Sequence, residues 1–371
     1  QLVDIGKYAF GEATKLANVT FGNNLSNIFE GAFYRIKATT ITIPKSVALI
    51  DKKAFANVSL TALNFELGGA VPLTINAEAF ASSKFETVML PARLQNIYYF
   101  YTFANVAKFK VVDVFKSNTK LKAIEVEEGG KFFAAKDGVL YEVSEAGIAD
   151  TLLFCPVAKS GTLIVPKEVR KVENGAFADH ALTAITFEDY EEGDANYGKP
   201  LLAIGGITYN GTSKPTKQYA VFSSTKAITI KLPSHLKNLG VASFHTLSNT
   251  NAVIEFHSDA HLEFITGSAI YNTKVKVLNL PAVDQFHIGA LDTNSSLTTV
   301  TFHADSKFTE IPQRMFMRCS ALTTIEIPAQ VTVIGNSAFL SCSKLKNVTF
   351  EEGSRLQEID SNAFYGAGME N

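Results

Sequence analysis

The chain has 371 residues, 46% hydrophobic and 19% charged, and its 34 basic and 36 acidic side chains leave a net charge of −2. High apolar content with low, balanced charge excludes an intrinsically disordered chain, three Cys exclude a disulfide scaffold, and near-neutrality argues against a dedicated nucleic-acid binder. No apolar run approaches the roughly 18 residues of a helical membrane span, which leaves 28 Phe with no Trp as the odd feature.

At roughly 100–200 residues per domain the length suggests two or three domains, unless the chain is one repeat array. The apolar residues do repeat, as I-x-x-x-A-F, a gap, L-x-x-V-x-F/I-P, another gap, and the next I. In chain order the A-F step falls at Phe10, Phe33, Phe55 and Phe80, more weakly at Phe103 and Phe115, then at Phe177, weakly at Phe222, and at Phe244, Ile270, Leu291, Phe316, Phe339 and Phe364. A period of this length predicts a solenoid whose units bury their apolar sides only against neighbours. L-x-x-V-x-F alternates apolar and polar and predicts a short strand, stacked in register into a parallel sheet along one face. The Pro that follows cannot donate to a ladder and ends the strand. I-x-x-x-A-F is too short for a regular helix and predicts a brief strand leading into one helical or 3₁₀ turn.

Two segments break the beat. Residues 127–165 carry Asp137-Gly138 between apolar runs, a hairpin-turn signal, and predict a β-hairpin extension of one repeat. Residues 188–220 form a longer insertion, acidic at first and then rich in Gly, Thr, Ser and Lys, that holds Tyr190, Tyr197, Tyr209 and Tyr219. No linker or composition break divides the chain, so residues 1–371 read as one domain. Leu2-x-x-Ile5 is the same step as Leu25-x-x-Ile28; the chain begins inside a repeat, and the expectation is a processed or truncated chain whose export signal lay upstream.

The units Ile334-Gly-Asn-Ser-Ala-Phe339 through Phe350 and Leu322-Thr-Thr-Ile-Glu-Ile-Pro328 resemble the BspA-type leucine-rich repeat of bacterial surface proteins, and the segment from Leu121 to Pro166 is similar to that family's hairpin insertion. The resemblance implies a right-handed leucine-rich-repeat solenoid, exported and displayed on or shed from a bacterial cell, similar to adhesins that bind host or matrix proteins. It carries over no catalytic residue and no particular ligand.

The residue between the apolar strand positions would line the sheet face: Thr20, Thr42, Asn64, Met89, Asp113, Glu125, Thr186, Lys231, Glu255, Asn279, Thr301, Glu326 and Thr349. Interface hot spots favour Trp, Tyr and Arg, which this row lacks, so a solvated sheet is the reading preferred over a specific site. The four tyrosines of the insertion are the better candidate surface, since Tyr supplies stiff amphipathic contact area at low entropic cost; the competing reading is that they pack the loop onto the solenoid. Asp194-Ala-Asn196-Tyr-Gly198 starts like a calcium loop but puts Gly where a third ligand belongs. His257 and His261 correspond to His303 and Lys307 in a neighbouring unit, which reads as repeat chemistry rather than a metal site. Cys319 and Cys342 share one repeat position and read as two stacked free thiols in preference to a bridge. Of the glycosylation-type acceptors at Asn18, Asn57, Asn210, Asn294 and Asn347, two fall in the strand consensus itself and need no glycan.

No nucleophile elbow, P-loop, zincin or dinucleotide motif occurs. The expected function is a non-enzymatic cell-surface or secreted interaction scaffold, adhesin-like, without cofactor or metal, monomeric, binding an extracellular protein or glycan and no nucleic acid. The alternatives are a passive spacer displaying another module, or a glycan-binding surface protein. Most Phe are accounted for inside the repeat: the A-F step, the strand end (Phe21, Phe65, Phe187, Phe256, Phe302 and Phe350), and Phe85, Phe109, Phe286 and Phe308 in place of aliphatic residues.

Overall fold

The computed structural model describes residues 2–103, 107–191, 201–206, 220–223 and 229–369, with the backbone alone at 100–103, 107–109 and 111. The chain packs as two compact units, residues 1–101 with 109–160, and residues 102–108 with 161–371.

In the first unit L-x-x-V-x-F forms Thr40–Ile43, Ala62–Phe65, Thr87–Leu90 and Ala123–Val126. Thr40–Ile43 and Thr87–Leu90 alternate strictly between exposed and buried side chains, the period-two pattern of a half-buried strand. The repeat isoleucine forms shorter strands, Asp4–Ile5, Asn27–Ile28, Leu49–Ile50, Leu73–Ile75 and Leu94–Asn96, which make one five-stranded sheet in chain order. Its register is one coil per strand: Ile5 lies opposite Ile28, and Ile28 opposite Ile50. Equal heights bring like positions together, so the Asn27 amide donates to Asp4 Oδ1 at 2.7 Å and the Asn76 amide to Asp51 Oδ1 at 2.7 Å.

The expected helical turns are not helices, and the described residues contain neither α- nor 3₁₀-helix. Each A-F step is a single turn, in which the Ala32 N–H bonds Phe29 O at 3.1 Å and the Ala54 N–H bonds Asp51 O at 3.1 Å. The next amide leaves the coil: Phe10, Phe33 and Phe55 donate at 2.8 Å to the carbonyls of Ala32, Ala54 and Ala79, one coil on. A helix needs that N–H for its own i−4 carbonyl. Residues just before Ala (Gly31, Lys53, Glu78) and three after it (Arg35, Asn57, Ser82) take positive φ, which turns the chain on both sides of the step. The rings stack as a ladder through the core: Phe10–Phe33 5.2 Å, Phe33–Phe55 5.1 Å, Phe55–Phe80 5.4 Å and Phe80–Phe115 6.5 Å between centroids. In the repeat extension, Phe133–Lys136 pairs antiparallel with Val139–Val143, and that strand pairs antiparallel with Ala149–Phe154.

The second unit repeats the plan. Lys171–Val172, Ala203–Ile204, Asn238–Leu239, His261–Ile265 and Ala282–Phe286 run parallel in chain order, followed by Glu310–Ile311, Val333–Ile334 and Glu358–Ile359 in a sheet of their own. Its ladder runs through Phe177, Phe222 and Phe244 at 5.0 and 4.9 Å, and again through Phe316, Phe339 and Phe364 at 5.2 and 5.0 Å. Coils approach closely at Gly240, where a Cβ would fall 2.5 Å from Gly206 O.

The longer strands do not form one continuous ladder, and the cause is an alternation along the chain. Strands ending in Pro (Pro44, Pro91, Pro166, Pro233, Pro281, Pro328) alternate with strands ending in Glu or His (Glu66, Glu127, Glu188, His257, His303, Glu351). The amides of Glu66, Glu127, Glu188 and Glu351 donate at 2.8–3.0 Å to the strand-end carbonyls of Ile43, Leu90, Val165 and Ile327 in the coil before. The same glutamates return a carboxylate oxygen to the amide after the proline, at Lys45 (3.1 Å), Ala92 (2.8 Å), Lys167 (3.3 Å) and Ala329 (2.9 Å). Each of these four Pro coils is thereby clamped to the coil that follows. In the other direction proline has no N–H to give. Ala62–Phe65 is unpaired with Thr87–Leu90, Val253–Phe256 with Val277–Asn279, and Thr299–Thr301 with Thr324–Ile327. Ala181–Phe187 does pair with Thr229–Leu232, but the register stops before Phe187, which precedes Pro233 in the stack.

Candidate interaction surface

Within each unit the polar strand positions share one face, as alternation requires. Thr42, Asn64, Met89 and Glu125 are exposed in the first unit, and Lys231, Glu255, Asn279, Thr301, Glu326 and Thr349 in the second. Within coil pairs the register sets Thr42 opposite Asn64, Met89 opposite Glu125, Lys231 opposite Glu255, Asn279 opposite Thr301 and Glu326 opposite Thr349. Lys231 and Glu255 form an exposed ion pair at 3.5 Å, and the Thr301 hydroxyl donates to Asn279 Oδ1 at 2.9 Å. Asp113 is not in this row. It lies in the turn before Phe115, because the strands Tyr99–Phe103 and Ala107–Val111 displace the repeat there. Burial raises its pKa to about 6, and the negative charge of Glu78 adds to that against a hydrogen bond from the Glu78 amide.

Of the four candidate tyrosines, Tyr197, Tyr209 and Tyr219 lie outside the described residues, as does the calcium-like segment at 194–198. Tyr190 packs inward. Its hydroxyl donates to Lys167 O at 2.6 Å, and its ring lies 4.6 Å from that of His235. Beside it Asp189 accepts from the Ser234 amide (2.7 Å) and hydroxyl (2.7 Å) and lies 3.0 Å from His235 Nδ1. Burial pushes the Asp189 carboxyl up, but hydrogen bonds from Ser234, His235 and the Tyr190 amide outweigh it and hold the pKa at about 2. Asp, His and Ser meet here with the hydroxyl on the carboxylate rather than on the imidazole, so this is an anchor for the start of the insertion, not a nucleophile with its base.

The other singled-out residues serve the coils. His257 and His303 each accept the amide two residues on (3.1 and 3.2 Å), and His261 Nε2 lies 2.7 Å from Asp284 Oδ1. Cys319 and Cys342 are free and buried, and each thiol donates to the carbonyl of the preceding coil's ladder residue, Leu291 at 3.4 Å and Phe316 at 3.1 Å. Asn294 occupies the same rung and donates to Ile270 O at 2.7 Å. Burial raises the Cys342 thiol to about 12, which keeps it protonated as a donor. Among the described residues no group of three or more His, Cys, Asp or Glu is placed to hold a metal ion, and no helix is long and apolar enough to cross a membrane.

Three open cavities lie in the first unit. Two grooves of about 600 and 360 Å³ flank the loop at 67–71. That loop is fastened by Arg93, whose guanidinium bonds the carbonyls of Val47 (2.6 Å), Val71 (3.1 Å) and Pro44 (3.1 Å). A third cavity, about 250 Å³, opens on the strand face between Ala62–Phe65 and Thr87–Leu90. The sequence missed this cavity, because which neighbouring strands pair and which do not is set between coils and no local pattern records it.

A family model described as BspA type leucine rich repeat region (6 copies) matches residues 1–110, 206–295 and 263–371. No curated protein matches the sequence. Among solved structures, the pneumococcal vaccine antigen PcpA is similar in fold, at 21% identity and a TM-score of 0.54 over 91% of this chain and 71% of that one. A leucine-rich cell surface protein of Faecalibacterium prausnitzii is 18% identical with a TM-score of 0.47, covering 95% of this chain and 70% of its own. A leucine-rich repeat protein of Eubacterium ventriosum is 16% identical with a TM-score of 0.41, covering 94% and 82%.

Proposed function

The chain belongs to the BspA-type leucine-rich-repeat family, and from that membership we propose that it is a non-enzymatic bacterial cell-surface or secreted scaffold, adhesin-like, that binds an extracellular protein. The observation that carries the reading is the set of exposed strand positions held opposite one another within coil pairs, such as Met89 with Glu125 in the first unit and Glu326 with Thr349 in the second. Such a surface presents many shallow polar contacts on a rigid backbone, which suits a macromolecular partner better than a small substrate. The insertion at 188–220, with Tyr197, Tyr209 and Tyr219, is a second contact region in the same reading, and Tyr190 anchors its start. A monomeric, right-handed solenoid completes it.

The test is a binding survey of the whole chain against immobilised matrix proteins and glycans, repeated with residues 192–200 and 207–219 replaced by Gly-Ser segments of the same length, which keeps the sheet strand Ala203–Ile204 in place. Saturable binding to a protein supports the reading, and loss of it on replacement assigns the insertion. Silence across the survey overturns it in favour of a passive spacer.

A further inference from the structure

The seam between Ala62–Phe65 and Thr87–Leu90 is an interruption of the strand ladder at a coil whose strand is followed by Pro91. Those strands belong to neighbouring coils yet form no ladder, and about 250 Å³ opens between them. Its apolar lining includes Leu67 and Met89, 48% and 37% exposed, where the strand face elsewhere is mostly Thr and Asn. At the far side lies Glu125, paired in register with Met89 and therefore roughly one strand spacing, about 4.8 Å, from it. Glu125 is exposed and makes no ion pair with any described residue, whereas Glu66 and Glu127, on the same coils' turns, are engaged with backbone amides. Asn64 and Thr87 add an amide and a hydroxyl at the rim.

An apolar slot ending at an uncompensated carboxylate matches a long side chain with an aliphatic stem and a cationic head. We propose that this seam is a docking pocket for an arginine or lysine side chain of a protein partner, its stem lying over Leu67 and Met89 and its head on Glu125. The proposal rests on the interaction-scaffold reading and names the chemistry of the partner at one site. The Met89–Glu125 row carries a single negative charge and no positive one across Thr20, Thr42, Asn64, Met89 and Glu125, so a basic segment is the complementary occupant and an acidic one is repelled.

The chain has four methionines, and only Met89 lines the seam; Met315 and Met317 are buried, and Met369 is exposed near the chain's end. The whole chain labelled at the methionine methyls is titrated with N-acetylarginine amide, and with N-acetylglutamine amide as the neutral control. The expected result is a saturable shift of the Met89 methyl with the arginine probe alone, while Met369 stays fixed. Glu125→Gln, an exposed isosteric change, is expected to weaken that shift about tenfold, the loss of one charge-assisted contact worth roughly 1.4 kcal/mol. Pro91→Ala restores an amide to Phe65 O, zips the seam and is expected to abolish it. A Met89 methyl that never moves, an equal response to the glutamine probe, or an undiminished shift in Glu125→Gln overturns the proposal. A partner found in the survey while Met89 stays silent overturns the seam and leaves the scaffold reading standing.

Discussion

Thr246 sits at φ 57°, two residues after the ladder ring of Phe244, in the left-handed region that a β-branched side chain tolerates worst. The same station holds Asn57 and Asn272, at φ 57° and 51°. What fixes Thr246 there is its main chain, whose amide donates to Tyr271 O at 2.9 Å in the next coil. Thr246→Asn keeps that bond and removes the β-branch but gives up the Thr246 hydroxyl's bond to His245 O at 2.6 Å, so stability is expected to rise only slightly, by about 0.5 kcal/mol. A higher urea midpoint with an unchanged slope is the supporting result, and a lower midpoint refutes it. Asp189 gives the second residue-scale expectation. Its folded pKa of about 2 lies below its ordinary 3.8, so the stabilisation it provides is complete above pH 3.8 and is lost as pH falls through 2. The amount is on the order of 2 kcal/mol. Asp189→Asn should flatten the dependence of the denaturation midpoint on pH between 4 and 2 relative to the parent chain, and parallel curves refute the assignment.

At the scale of the element, Glu351 shows how coils are paired. Its amide bonds Ile327 O at 3.0 Å while its carboxylate returns to the Ala329 amide at 2.9 Å. Glu351→Gln leaves the first bond and weakens the second to a neutral one, an expected loss of about 0.5–1 kcal/mol. Hydrogen exchange checks it residue by residue: the Ala329 amide should exchange faster, while the Glu351 amide keeps its protection. Faster exchange at both positions means the whole turn has loosened and the clamp is not the cause.

The same element separates what the sequence reveals from what it hides. Ile28, Phe33, Ile41 and Ile43 were readable as core because side-chain burial sets the spacing of apolar residues directly. The Ala32-Phe33 step reads from sequence as one helical or 3₁₀ turn, since a stretch too short for a regular helix can still close a single turn. Where the Phe33 amide goes is decided by Ala54 on another coil, which no local pattern records. The seam at Pro91 is intermediate: the Pro and Glu alternation is written in the chain, but it gains meaning only once Glu66 and Pro91 are known to stack on the same side of Phe65. Tyr190 was legible as an aromatic with a polar tip, yet the site it fills belongs to Lys167 and His235, far off in sequence.

For the whole molecule, a structure built from bonds between successive coils has a stability that is close to a sum of intrinsic and nearest-neighbour terms. Phe55 is a strong probe of this, since it is fully buried and stacks on Phe33 and Phe80 at 5.1 and 5.4 Å. Phe55→Ala removes both contacts and leaves a cavity, an expected cost of about 3–5 kcal/mol. In a cooperative globule that loss would lower the protection of every globally exchanging amide by the same amount. In a nearest-neighbour array it falls first on the Phe55 coil and on the adjoining coils of Phe33 and Phe80, since the amides of Phe33, Lys53 and Phe55 each bond to the next coil. The expected outcome in native-state hydrogen exchange is therefore a local loss of protection around Ile28–Phe80, with the Phe316 and Phe339 amides, bonded to Ala338 and Ala363 at 2.8 and 2.7 Å, keeping theirs. Uniform loss along the chain would show that the coils fold as one cooperative body and that nearest-neighbour coupling is the wrong description.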